Sequence, residues 1–211
     1  MNKSDEKSIH PKNVGWLEYK LTSQEMDYVW RCIENKKEKW NTHLAGNISS
    51  SHLLMDRGNW FWLNTLKPLC KKYIEEFYDV GLKIPTNQMH PYYLKEWWVN
   101  YQRQGEFNPL HDHTGVYSFV IWMKIPFDYR EQNKKKFAAH SNNPVISAFQ
   151  FQYNNLFGQS EFYNYCLSSE DEGSMLFFPA QLDHQVYPFY DCEEDRISVS
   201  GNVLINTMKL L

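Results

Sequence analysis

The sequence is short of cysteine, of glycine and of long apolar runs, and each shortage excludes something. Four Cys stand at positions 32, 70, 166 and 192, no two closer than 26 residues. There is thus no CxxC spacing for a structural zinc or a redox pair. The nine glycines build no phosphate-cradling loop, and neither a GxSxG elbow nor an internal repeat is present. No run of about 18 apolar residues occurs, so no membrane span is expected. The opening residues, MNKSDEKSIHPKN, are polar and contain no apolar signal core. With free, mostly buried thiols, that points to a reducing cytoplasm, the host's if the gene is phage-borne. Positive charge is not in excess either. Lys plus Arg number 22 against 25 Asp plus Glu, a net charge of −3, which excludes general nucleic-acid binding through bulk charge.

What the sequence does have is aromatic residues. Thirteen Phe, eight Trp and 14 Tyr make 17% of 211 residues, while charged residues are an ordinary 22%. Such a chain is not a disordered tail, and its length suits one compact domain. Its Asn and Lys content is compatible with a phage or AT-rich microbial genome.

Residues 1–15 read as a loose polar tail. A helix is expected over 22–40, where Thr22 and Glu25 have capping-box spacing and Met26, Val29, Trp30 and Ile33 recur on one face. Residues 41–58 read as loop. A second helix is expected over 64–80, with Pro68 in its first turn and Gly81 ending it. After residue 90 the pattern changes to short segments rich in Val, Ile, Phe, Tyr and Trp, at 95–103, 117–125, 145–153, 160–167, 174–178, 182–189 and 196–205. Their spacing predicts an all-β sandwich or barrel. The division is therefore 1–90, tail and supporting helices, and 91–211, β core. The polar run 128–143, with Lys134, Lys135 and Lys136, reads as a solvated loop, with a mobile flap as the sharper alternative.

Three sparse polar features carry chemistry. The first is His111-Asp112-His113. On a strand, residues i and i+2 point the same way, so both imidazoles could share one metal while Asp112 points away. The second is the segment GSMLFFP over 173–179, followed by His184, 71 residues after His113. The third is Arg196-Ile197-Ser198, twelve residues further on. Here Arg196, Ser198, Ser200 and Asn202 share one strand face. That face either meets solvent or lines a barrel interior, where the Arg fork would need a carboxylate. Taken singly, each feature has an ordinary structural explanation.

Their order resembles the Fe(II)/2-oxoglutarate-dependent oxygenases, and among them the prolyl-hydroxylase-like branch and its microbial and phage relatives. The resemblance covers about residues 95–205 and includes NPLHDH over 108–113 followed by SFVIWMKIP over 118–126. It implies a double-stranded β-helix (a cupin-like jelly roll) braced by N-terminal helices. It implies Fe(II) held by His111 and His184, 2-oxoglutarate and O2 as cosubstrates, and a hydroxylase acting on a peptidyl residue, proline favoured, or on a small molecule. Arg196, assisted by Ser198, would take the distal carboxylate of 2-oxoglutarate. Tyr101 would touch the same cosubstrate, and Trp122 or Lys124 would line the pocket.

One position departs from the family. The facial triad is two His and one carboxylate, and the carboxylate's position holds His113. A three-His centre of His111, His113 and His184 is favoured by the i, i+2 geometry. The alternatives are Asp112 reaching round through a bulge and a metal-free relative. Three rival functions stay open: a cupin-like three-His enzyme independent of 2-oxoglutarate, a zinc hydrolase, and a non-catalytic jelly-roll binding or virion protein.

Overall fold

The computed structural model describes residues 15–86, 90–138 and 140–207, so the expected N-terminal tail lies, except for Gly15, outside the described residues. In chain order the elements are β1 (Leu17–Lys20), α1 (Ser23–Glu34), β2 (Ser50–Leu53), α2 (Lys67–Glu76), β3 (Tyr92–Gln102), β4 (Asn108–His111), β5 (Tyr117–Lys124), α3 (Tyr129–Asn133), β6 (Phe149–Asn154), β7 (Ser160–Tyr165), β8 (Ser174–Pro179), β9 (His184–Val186) and β10 (Arg196–Ile205). The strands form two antiparallel sheets. One has six strands in the order β1-β8-β5-β10-β3-β2, the other four in the order β4-β9-β6-β7. This is the double-stranded β-helix with supporting helices.

The aromatic excess explains why the six-stranded sheet can be covered on both faces. Along β5, Tyr117, Phe119, Ile121 and Met123 enter the core beneath the helices, while Val120 and Trp122 enter the core between the sheets. β8 alternates in the same way, Met175 and Phe177 one way, Leu176 and Phe178 the other. A period of two with both faces buried makes a nearly unbroken apolar run. Each such side chain, fully buried, stabilises by about 1.5–3 kcal/mol. Gly201 in β10 lets the layers close. A Cβ there would stand 2.7 Å from the Phe119 ring and 2.7 Å from Trp97 Cβ.

Helix α1 starts at the capping box, but it ends at Glu34 rather than 40. The Asn35 amide donates to Arg31 O at 2.8 Å. The chain then turns alongside β2, with Lys37 N–H on Leu53 O and Trp40 N–H on Ser51 O. The second helix opens as a π-helical turn, Trp62–Leu66, before α2, and ends at Glu76. Pro68 has no N–H to close a regular turn there, and the wider turn accommodates it. The expected 41–58 loop contains β2, which pairs with β3. Both edges of the six-stranded sheet, β1 and β2, thus come from the segment before residue 91. The 128–143 run contains α3 and is tethered. Gln132 is buried, its amide donating to Tyr190 O at 2.8 Å and its oxygen accepting from Tyr190 N–H at 2.9 Å. Lys134 and Lys135 pair with Glu131 and Asp191. All four cysteines are free thiols, and no helix among the described residues is long and apolar enough to cross a membrane.

Candidate functional site

A cavity of about 540 Å³ opens between the two sheets. His111, the last residue of β4, pairs across the ladder with His184, the first residue of β9. His113 lies two residues past the strand, where its backbone N–H donates to Ala180 O at 2.8 Å. One ring nitrogen from each of the three lies within 4.8 Å of the others. His113 Nε2 and His184 Nε2 are 3.1 Å apart.

The ring orientations are fixed from outside the cluster. His111 Nδ1 is 2.7 Å from Pro109 O, and His184 Nδ1 is 2.9 Å from Leu182 O. A carbonyl can only accept, so Nδ1 carries a proton in both rings and Nε2 is the nitrogen turned toward the cluster. Burial, reinforced by the neighbouring His111, pushes His113 down to about 4. Burial likewise drives His184 well below the ordinary histidine value, with His111 and His113 adding to it. At neutral pH both rings are therefore neutral, the form that binds a metal. Two imidazole nitrogens bound cis at about 2.1 Å from one ion stand about 3 Å apart, so the 3.1 Å pair fits a shared cation. Asp112 borders the cavity but is exposed, and it is not among the converging ligand atoms.

Further along the cavity lies Arg196, 2% exposed, at the start of β10. Its Nε and Nη2 donate to Gln102 Oε1 at 3.1 and 2.6 Å. Nη1 donates to Ser147 O at 2.7 Å, and Nη2 also to Tyr187 O at 3.2 Å. The rings of Phe127 and Phe189 stand 5.6 and 5.7 Å from the guanidinium carbon. Among the described residues no carboxylate pairs with it. Burial pushes the guanidinium down to about 9, so it still carries its charge at neutral pH. Ser198, Ser200 and Asn202 line the same cavity, and Val199 and Val203 face the helices. The polar face of β10 is thus an interior lining, not a solvated surface.

The cavity therefore gathers His111, His113, His184, Arg196 and Ser198. It does not gather Tyr101. On β3 it is Trp98, Asn100 and Gln102 that face inward, and the period of two sends Tyr101 to the helix side. Its ring packs there near His52, with the Lys36 ammonium 5.5 Å from it. Trp122 lines the cavity; Lys124 does not and pairs with Glu194 at 2.6 Å. Trp98, Asn100 and Gln102 are additional to the residues expected from the sequence. The signal was available, because β3 alternates as β10 does.

Residues 96–202 match the model of a family described as "Putative 2OG-Fe(II) oxygenase". No curated protein matches. Among solved structures, the chain is similar to a Pseudomonas putida prolyl-4-hydroxylase at 13% identity and TM-score 0.50, over 91% of this chain and 93% of that one. It is similar to the viral collagen prolyl hydroxylase of Paramecium Bursaria Chlorella virus-1, solved with 2OG, at 10% identity and TM-score 0.50, over 89% and 94%. It also resembles the carbocyclase SnoK of nogalamycin biosynthesis, at 10% identity and TM-score 0.53, over 91% and 79%. At these identities the likeness is one of fold.

Proposed function

Because this chain belongs to the 2OG-Fe(II) oxygenase family, and is thereby an oxidoreductase, we propose that it hydroxylates a C–H bond while converting 2-oxoglutarate and O2 to succinate and CO2. One oxygen atom enters the substrate as hydroxyl and the other enters succinate. The observation that carries the reading is a single cavity holding three convergent imidazoles and a buried, uncompensated guanidinium.

In this reading His111, His113 and His184 hold Fe(II). Fe(II) bound there would supply the oxygen-activating redox chemistry of the family. The carbonyls of Pro109 and Leu182 keep the His111 and His184 tautomers ligand-competent. Arg196 takes the far carboxylate of 2-oxoglutarate, with the Ser198 hydroxyl beside it, and so orients the cosubstrate from its distal end. Trp98, Phe149 and Phe178 supply apolar wall that excludes water from the site. Peptidyl proline is the favoured substrate, on the fold likeness to two prolyl hydroxylases, with a small molecule the alternative. A three-His centre independent of 2-oxoglutarate would have no use for Arg196, and the unpaired charge of that residue is the observation against it.

The test is anaerobic addition of Fe(II) and 2-oxoglutarate. A metal-to-ligand charge-transfer band is expected in the visible region. Bound metal without the band would overturn the reading in favour of a cupin-like or zinc site, and no metal binding at all would favour a binding module. Under air, a proline-containing peptide should stimulate succinate release.

A further inference from the structure

Arg196 is a buried cation whose strand neighbour is neutral. Gln102, the last residue of β3, stands directly opposite it in the β3–β10 register. Its Oε1 accepts both Nε and Nη2, the side-on fork that a carboxylate binds bidentately. Gln102 is 3% exposed, and its own amide is pinned, Nε2 donating to Glu106 O at 2.5 Å. That bond fixes which end of the amide meets the guanidinium.

The other partners are equally neutral: the carbonyls of Ser147 and Tyr187 and the rings of Phe127 and Phe189. Ser147 presents its carbonyl from a left-handed backbone, φ +66°, with its Oγ buried and without a hydrogen-bond partner. A non-glycine residue holds that conformation at a cost. The carboxylates close in sequence are engaged elsewhere: Glu106 by the N–H groups of Ser49 and Arg103, Glu194 by Lys124, Asp195 by Arg103. Five groups hold the guanidinium, and none neutralises it.

An uncompensated interior charge destabilises a fold, and glutamate, nearly isosteric with glutamine, would neutralise it at this position at the cost of the bond to Glu106 O. We propose that Gln102 is a positioning residue that fixes the Arg196 guanidinium without neutralising it, so that its positive charge is kept for the anionic cosubstrate. The inference rests on Arg196 being the carboxylate-binding residue of the function proposed above. With Glu at position 102 the arginine would carry an internal anion, and 2-oxoglutarate would meet a neutral pair.

The test uses Gln102→Glu and Gln102→Met, with 2-oxoglutarate binding to Mn(II)-loaded protein measured by calorimetry and stability by thermal melting. Gln102→Glu gains an ion pair but loses the donor to Glu106 O, so it should melt higher than Gln102→Met, yet bind 2-oxoglutarate at least about tenfold more weakly than the native protein, with Mn(II) affinity unchanged. Gln102→Met should melt lower and weaken 2-oxoglutarate much less, because the charge is retained. Native-like binding by Gln102→Glu, or equal weakening in both variants, overturns the inference. So does a Gln102→Glu chain that fails to fold where Gln102→Met folds, since both lose the bond to Glu106 O and only the glutamate gains an ion pair with Arg196. If the native protein binds no 2-oxoglutarate, the proposed function falls and this inference with it. Native binding with undiminished Gln102→Glu binding overturns this inference alone.

Discussion

His111 and His184 are direct cross-strand partners in the β4–β9 ladder, so one antiparallel register sets two of the three converging imidazoles. A slip of one residue would turn either ring out of the cavity. His113 is fixed separately, by the bond to Ala180 O.

Metal binding should therefore depend on all three rings and little on Asp112. His111→Ala, His113→Ala and His184→Ala are each expected to weaken Mn(II) or anaerobic Fe(II) binding at least about tenfold. Asp112→Asn should change it by less than about twofold. Calorimetric titration checks this; a large effect of Asp112→Asn with none from His113→Ala would make the aspartate the third ligand.

Arg196→Ala should separate cosubstrate from metal. The 2-oxoglutarate affinity of Mn(II)-loaded protein should fall about tenfold or more, with Mn(II) affinity within about twofold of native. Equal loss of both would mean that Arg196 only supports the fold.

Glu25 joins three elements. It accepts Thr22 N–H and hydroxyl at 2.8 Å each, the Tyr19 hydroxyl from β1, and the Thr65 hydroxyl at 2.6 Å from the π-helical turn. Burial works against its charge, but the hydrogen bonds from Thr65, Thr22 and Tyr19 outweigh it and hold the carboxyl below its ordinary value. A depressed carboxyl contributes stability above its unfolded pKa of about 4.3 and loses it as pH falls through the lower folded value. Glu25→Gln should cost about 1–3 kcal/mol at pH 7. Urea midpoints of the two proteins should converge as pH is lowered from about 4.3; a pH-independent gap would assign the loss to shape rather than charge.

Gly201→Ala should destabilise by about 1–3 kcal/mol, because the added methyl meets Phe119, Trp97 and the Glu96 carbonyl, all under 3 Å. A thermal melt reads this directly, and an unchanged midpoint would show that the layers can part there.

The sequence announces the strands that are buried on one or both faces. β5 and β8 are nearly unbroken runs of aliphatic and aromatic residues, and β10 alternates Ile and Val with Arg, Ser and Asn over most of its length. It does not announce β1 and β2, LEYK and SSHL, because short edge strands are decided by a neighbour's ladder rather than by their own composition. The site residues stand out as types at suggestive spacings, His111, His113, His184 and Arg196 among them. Tyr101 shows where spacing fails. The family resemblance aligns positions along the chain, and Tyr101 stands ten residues before His111, whereas reaching the cavity depends on the phase of β3, and one residue either way, Asn100 or Gln102, has it.

Because β1 and β2 form the two outer edges of the six-stranded sheet, the stretch matched by the family model, 96–202, does not include the sheet's rims. Cut to that length, the sheet would be left with β8 and what remains of β3 as its rims. Both are apolar, and each would have a row of unpaired amides and carbonyls, a template for self-association. The amino-terminal third of the chain thus gives that sheet four-residue rims, LEYK and SSHL, which offer a neighbouring molecule far shorter templates than β8 or β3 would.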